Sequence, residues 1–229
     1  MHFFMDLRKL LMMKRLTVII LMVVSISAFG QHKINTVLKK QLDSVMLLDQ
    51  KYRDTLSLFM TPGEGDSIAK KLSLKTWQAM NHYSTMQNQL DSLNVIYIEG
   101  VFKKYGYPGK TLVDTPANES AWYIIQHSQK IHQYMPMMKK AADEGELPFH
   151  LYAMMLDRDL MYHGQEQVYG SQVSCGDLKN GKHECFVWPI KDASKVDERR
   201  KKAGFDQTVE QNAQRLGVTY RVVTMDEVK

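Results

Sequence analysis

Apolar residues return at helical spacing over most of this chain, and the period changes only near its C-terminal end. Ile34, Val37, Leu38, Leu42, Val45, Leu48, Tyr52, Leu56 and Phe59 recur every three or four positions and predict one long amphipathic helix over 33–60. Thr61-Pro62-Gly63 ends it. A second helical stretch starts near Asp66 and carries Leu72, Trp77 and Met80. It is expected to break near Asp91-Ser92 and pass into a third, which Tyr105-Gly106-Tyr107-Pro108 stops. Residues 109–116 read as a loop, 121–131 and about 133–144 as helices. Pro148, at a first-turn position, opens a helix that runs to His163 and halts at Gly164.

Beyond Gly164 the segments 168–174 and 184–188 look extended and flank a turn-rich stretch, so a hairpin is expected at about 168–188. A three-residue loop Lys179-Asn180-Gly181, with the glycine in the left-handed position, sets Cys175 directly across from Cys185. A facing pair of this kind can be bridged, and a disulfide between them is expected; two independent buried thiols are the alternative. Helices around 194–202 and 205–216 and a short strand over 219–224 complete the chain. The fold class that follows is mainly α: a multi-helix bundle with a small C-terminal β-hairpin or three-stranded sheet.

Projecting each helix at about 100° per residue shows polar side chains inside apolar stripes. On the first helix Asp49 falls within the stripe, with Arg53 one turn on at its edge, where the two can pair. Asn94 lies among Leu90, Leu93, Tyr97, Ile98 and Val101, and His127 flanks the face made by Ala121, Ile124, Ile125 and Ile131. The 151–162 helix is apolar nearly all round yet contains Asp157 and Arg158. An unpaired ionised group in such a place costs several kcal/mol, so these charges must meet partners or water. The expected pairs are Asp49 with Arg158 and Arg53 with Asp157. Tyr169-Gly170-Ser171-Gln172, at the start of the hairpin, adds a phenol and an amide to one wall of the same cleft.

Charge changes the picture only after the amino-terminal segment is set aside. Met13-Lys14-Arg15, the uncharged run 16–24 and the small residues of 25–30 read as a secretory signal over residues 1–30, too short in its apolar part to remain as a membrane span. Translation from Met1 or from Met13 fits this reading. Of 30 basic and 25 acidic residues, cleavage after Gly30 removes Arg8, Lys9, Lys14, Arg15 and Asp6, leaving 26 against 24. With no basic stripe, nucleic acid is not an expected partner. The remaining 31–229 make one helical domain. A content of 44% hydrophobic and 24% charged residues excludes a disordered or collagen-like chain, and two cysteines are too few for a disulfide scaffold.

No Gly-x-Ser-x-Gly elbow, His-Glu-x-x-His, Gly-x-Gly-x-x-Gly or phosphate-binding loop occurs, which removes the commonest hydrolase, zinc-protease and nucleotide-binding readings. The eight histidines are scattered, His127 and His132 diverge on a helix, and neither a metal site nor a cofactor is expected. The expected function is an exported helical domain whose cleft binds a small polar or anionic ligand, with hydrolysis or group transfer as the chemistry if it is an enzyme. In that case His127 is the acid or base, Asp157 or Asp49 its orienter, and Arg158 or Arg53 the anion stabiliser, with Asn94, Tyr169 and Gln172 contacting ligand. The contrary reading is a non-enzymatic envelope or interaction protein in which the same charges only lock helix packing.

Several of these residues also form a recognisable set: Asp49-Gln50 with Arg53, Asn94 before Tyr105-Gly106-Tyr107-Pro108, Trp122 before Gln126-His127, Asp157-Arg158, Tyr169-Gly170-Ser171-Gln172, and Pro189 followed by Val196-Asp197 and Arg199-Arg200. By their order and spacing the chain resembles a family of bacterial proteins of unknown function, over most of the mature length. Members usually carry Thr at the place of Ser171, and the cysteine hairpin is not a family feature. The resemblance implies a shared helical domain and no established reaction.

Overall fold

The structure, a computed structural model, describes residues 33–228; the expected signal sequence over 1–30 lies outside the described residues. Helix α1 (Thr36–Gln50) is opened by Asn35, whose Oδ1 accepts from the Leu38 N–H at 3.0 Å. The expected single helix over 33–60 is two. A tightened turn, in which the Lys51 N–H donates to the Leu48 carbonyl at 3.3 Å, interrupts it before α2 (Arg53–Leu58). The apolar spacing runs through this interruption because Tyr52 still packs, at 6.0 Å between ring centres, on Tyr83.

Gly63, at φ 81°, precedes α3 (Glu64–Lys71), which begins slightly earlier than expected. Helix α4 (Thr76–Tyr105) then runs 30 residues without the break expected at Asp91-Ser92. Ser92 is satisfied from within the helix, its hydroxyl donating to the Asn88 carbonyl at 2.9 Å, and Asp91 accepts from Gln87 one turn before it and from Arg53 of α2. The real interruption is at Ser73, whose backbone is left-handed at φ 56°.

The loop expected over 109–116 contains a short helix, α5 (Lys110–Val113). Glu146 pins it, accepting from the Thr111 N–H and hydroxyl at 2.8 Å each. Helix α6 (Ser120–Gln126), led in by one 3₁₀ turn, stops at His127 rather than at 131. Helices α7 (Ile131–Asp143) and α8 (Phe149–Tyr162) follow and pack on each other. Leu38 and Leu42 of α1, Ile98 and Phe102 of α4, Trp122 and Ile125 of α6, Met138 of α7, and Leu151 and Met155 of α8 form the main core. Described residues include no helix long and apolar enough to cross a membrane.

Strands β1 (Val173–Asp177) and β2 (His183–Val187) make an antiparallel hairpin with Cys175 opposite Cys185, and the two are disulfide-bonded. The turn is the expected one, with Gly181 at φ 85° and its N–H donating to the Leu178 carbonyl. Cross-linking two positions 10 apart restricts the unfolded chain by about 2–3 kcal/mol. Reduction of the bridge is expected to lower the melting temperature by that equivalent in calorimetry. The strand expected over 219–224 does not form. That segment attaches through side chains: Val223 is buried with Leu178 and Phe186, and Arg221 reaches Glu184 at 2.6 Å and Glu227 at 2.8 Å. Helices α9 (Val196–Lys202) and α10 (Val209–Arg215) close a second small core with Val187 and Ile190.

Candidate functional site

Asp49, in the last turn of α1, has a fully buried carboxylate, and three side chains reach it. Gln50 Nε2 donates at 2.6 Å, Arg53 Nη2 at 3.4 Å, and the His127 ring approaches through Nδ1 at 3.2 Å. Burial by itself pushes this carboxyl up; the hydrogen bond and charge of His127, joined by Arg53, outweigh it and hold the group below the ordinary aspartate value. Arg53 Nη2 also donates to Asp91 at 2.6 Å, and Gln87 Nε2 bridges the Asp91 carboxylate and the Asp49 carbonyl. The guanidinium of Arg53 is therefore shared between two carboxylates.

Because α6 ends early, His127 belongs to the turn between α6 and α7 and not to a helix flank. The Asp49 carboxylate can only accept, so Nδ1 is the donor of this contact and Nε2 is the ring nitrogen left for a ligand. His127 lines two clefts, which share the 127–129 segment as a wall. The larger, about 560 Å³, is bounded by Arg53, Gln126, His127, Ser128, Gln129, Arg158 and Tyr162. The other, about 480 Å³, is bounded by residues that include Asn88, Asp91, Glu99 and Lys130.

Arg158 meets the first cleft from α8. Its Nε donates to Gln172 Oε1 at 3.2 Å and its Nη1 to the Gln126 carbonyl at 3.1 Å. No carboxylate among the described residues lies within ion-pair distance of it, so the expected Asp49–Arg158 pair is absent. Neither is Arg53 paired with Asp157. That carboxylate, wholly buried, faces the 168–171 segment and accepts from the N–H groups of Val168 at 2.7 Å, Tyr169 at 3.0 Å and Ser171 at 3.0 Å. Burial pushes the Asp157 carboxyl up, with these N–H groups pulling against it.

A family model described as a family of unknown function, DUF6624, matches residues 55–222. The chain belongs to this family. No curated protein and no solved structure matches it. The matched stretch contains His127, Asp157, Arg158 and the hairpin, while Asp49 and Arg53 precede it.

Of the residues expected at the site, the fold brings Arg53, His127 and Arg158 to one cleft, with Asp49 behind His127 and Gln172 behind Arg158. Asp157 organises the loop that carries Gln172. Tyr169 turns its half-buried ring to Phe205 at 5.9 Å and lines neither cleft. Asn94 is buried and its Nδ2 finds no partner among the described residues. A helical projection gives the direction of a side chain about its axis but not the height at which neighbouring helices meet, and the expected pairings failed on that point.

Three contributors were not among the residues expected at the site. Asp91 is the second carboxylate of Arg53. Gln167, fully buried, ties the Gln172 backbone on both sides and donates to the Trp188 carbonyl. Arg200, also buried, donates to the Tyr169 and Gln207 carbonyls beneath the Phe205 ring. A signal for Arg200 was available, since it continues the apolar stripe of Val196 and Ala203 at i+4 and i+7.

Proposed function

We propose that this is an exported protein whose cleft between α2, the α6–α7 turn and α8 binds a small anionic ligand. The observation that carries the reading is Arg158: a half-buried guanidinium on an open cleft, held by a carbonyl and an amide oxygen, with no ion-pair partner among the described residues. Its positive charge is uncompensated, whereas that of Arg53 is shared by Asp49 and Asp91. Planar guanidinium donors suit carboxylate, phosphate or sulfate groups. Should the bound molecule react, His127 is the group placed to move a proton through Nε2, Asp49 orients it, and Arg158 stabilises developing negative charge, the pattern of a hydrolase or group-transfer enzyme.

Titration of the purified protein with inorganic phosphate, sulfate and citrate, followed by calorimetry, tests this. At least one anion is expected to bind, and Arg158→Met to weaken it tenfold or more, about 1.4 kcal/mol, with little change in melting temperature. A second reading is favoured by the same two bonds of Arg158, which tie α8 to the end of α6 and to the hairpin loop. On that reading no anion binds and Arg158→Met costs several kcal/mol of stability.

Export rests on the signal-like residues 13–30 and is compatible with the disulfide. Intact-mass analysis of protein recovered from outside the cytoplasm is expected to show a chain that begins after Gly30 and carries no free thiol. A chain retaining residues 1–30 and two thiols overturns this part of the proposal.

A further inference from the structure

His132, Asp159 and His163 come together on the outer face of α7 and α8, separate from the carboxylate network of Asp49. His132 lies in the first turn of α7; Asp159 and His163 are four apart at the end of α8. One nitrogen from each ring and one carboxylate oxygen lie within 4.8 Å of one another. His132 Nδ1 is 3.1 Å from Asp159 Oδ2, and the two imidazole rings are 5.0 Å apart at their centres. The sequence hides this group because its members are 27 and 4 residues apart and on different helices.

We propose that these three side chains form a binding site for a first-row divalent cation of the Zn²⁺ type. Two imidazoles and one carboxylate are the donor set such ions take in sites that keep open positions for water or a bound molecule. Donors about 2.0–2.2 Å from a tetrahedral ion sit roughly 3.4 Å from each other, and the separations here need only small rotations of exposed side chains. His163 Nδ1 stands 3.5 Å from Asp159 Oδ1 and donates to the Asp159 carbonyl at 2.7 Å; with Nδ1 held by a backbone carbonyl, Nε2 is the nitrogen this ring offers an ion, the usual arrangement behind a metal-bound histidine. Asp159, mostly buried at 13% side-chain exposure, is the fixed member, and the exposed rings of His132 at 78% and His163 at 52% close on it.

The exposed pair of His183 with Asp177, at 2.8 Å, lies outside this group of three and serves as the control. Chelator-treated protein without an affinity tag is titrated with Zn²⁺ by calorimetry and with Co²⁺ by visible absorbance. One site is expected, with a Zn²⁺ dissociation constant in the micromolar range and a rise in melting temperature on binding. His132→Gln and His163→Gln should each weaken it tenfold or more, and His183→Gln should leave it unchanged. His132 is so exposed that its replacement cannot act through misfolding; retained affinity in that variant, or no saturable site in the parent, overturns the proposal.

Discussion

Asp157→Ala is expected to cost about 3–5 kcal/mol of folding stability, the largest loss from any single polar replacement in this protein. Removing the carboxylate leaves the N–H groups of Val168, Tyr169 and Ser171 without an acceptor in a buried place, and each such donor costs about 1–3 kcal/mol, less than additively. The loop they hold cannot easily settle elsewhere. Gly170, at φ 65°, is already packed so closely that a β-carbon there would come within 2.7 Å of Val209 and 2.8 Å of Ile190. Asp157→Asn keeps one accepting oxygen but turns an amide donor toward a backbone donor, and should lose an intermediate amount. Urea unfolding of the two variants against the parent checks this. Equal stability of parent and Asp157→Ala would show that the loop does not depend on the carboxylate. Anion affinity should also fall, because the loop carries Gln172, which holds Arg158.

The second large effect is expected at Asp49 and depends on pH. Its carboxyl is held below the ordinary value in the folded protein by His127 and Arg53 acting against burial. A group of this kind adds stability that is fully present above its unfolded value, about 3.9, and is lost as the pH falls through the lower folded value. Asp49→Asn is therefore expected to be less stable than the parent by about 1–3 kcal/mol at pH 7, and the gap should close below about pH 4 as the parent's own carboxyl takes up a proton. Urea midpoints of both proteins at pH 7 and pH 3 read the difference directly. A gap that stays constant across this range would mean that the charge of Asp49 contributes nothing.

Much of this was legible in the residue pattern. Val173 to Asp177 and His183 to Val187 pair in the register set by the Lys179-Asn180-Gly181 turn, because strand alternation and a left-handed glycine leave few alternatives. Helix α8 runs over the expected residues, since Pro148 and Gly164 mark both ends. Less was legible at Tyr52 and at Asp91, where apolar spacing passed through a real interruption and a polar pair imitated one that does not exist. Periodicity reports which residues face the core; it does not report whether the backbone hydrogen bonds beneath them continue.

The sequence by itself determined the helical class, the cross-strand cysteine pair, and the inward direction of Asp49, Asn94 and Asp157. Only the tertiary structure decided which groups meet. Asp49 finds His127 78 residues away, Asp157 turns to the backbone of the hairpin loop, and Arg158 is left facing an open cleft. A residue's direction about its own helix follows from local geometry at about 100° per step. The stagger and neighbours of that helix come from packing all the cores at once, and side chains of the same direction can then end in an ion pair, a loop anchor or solvent.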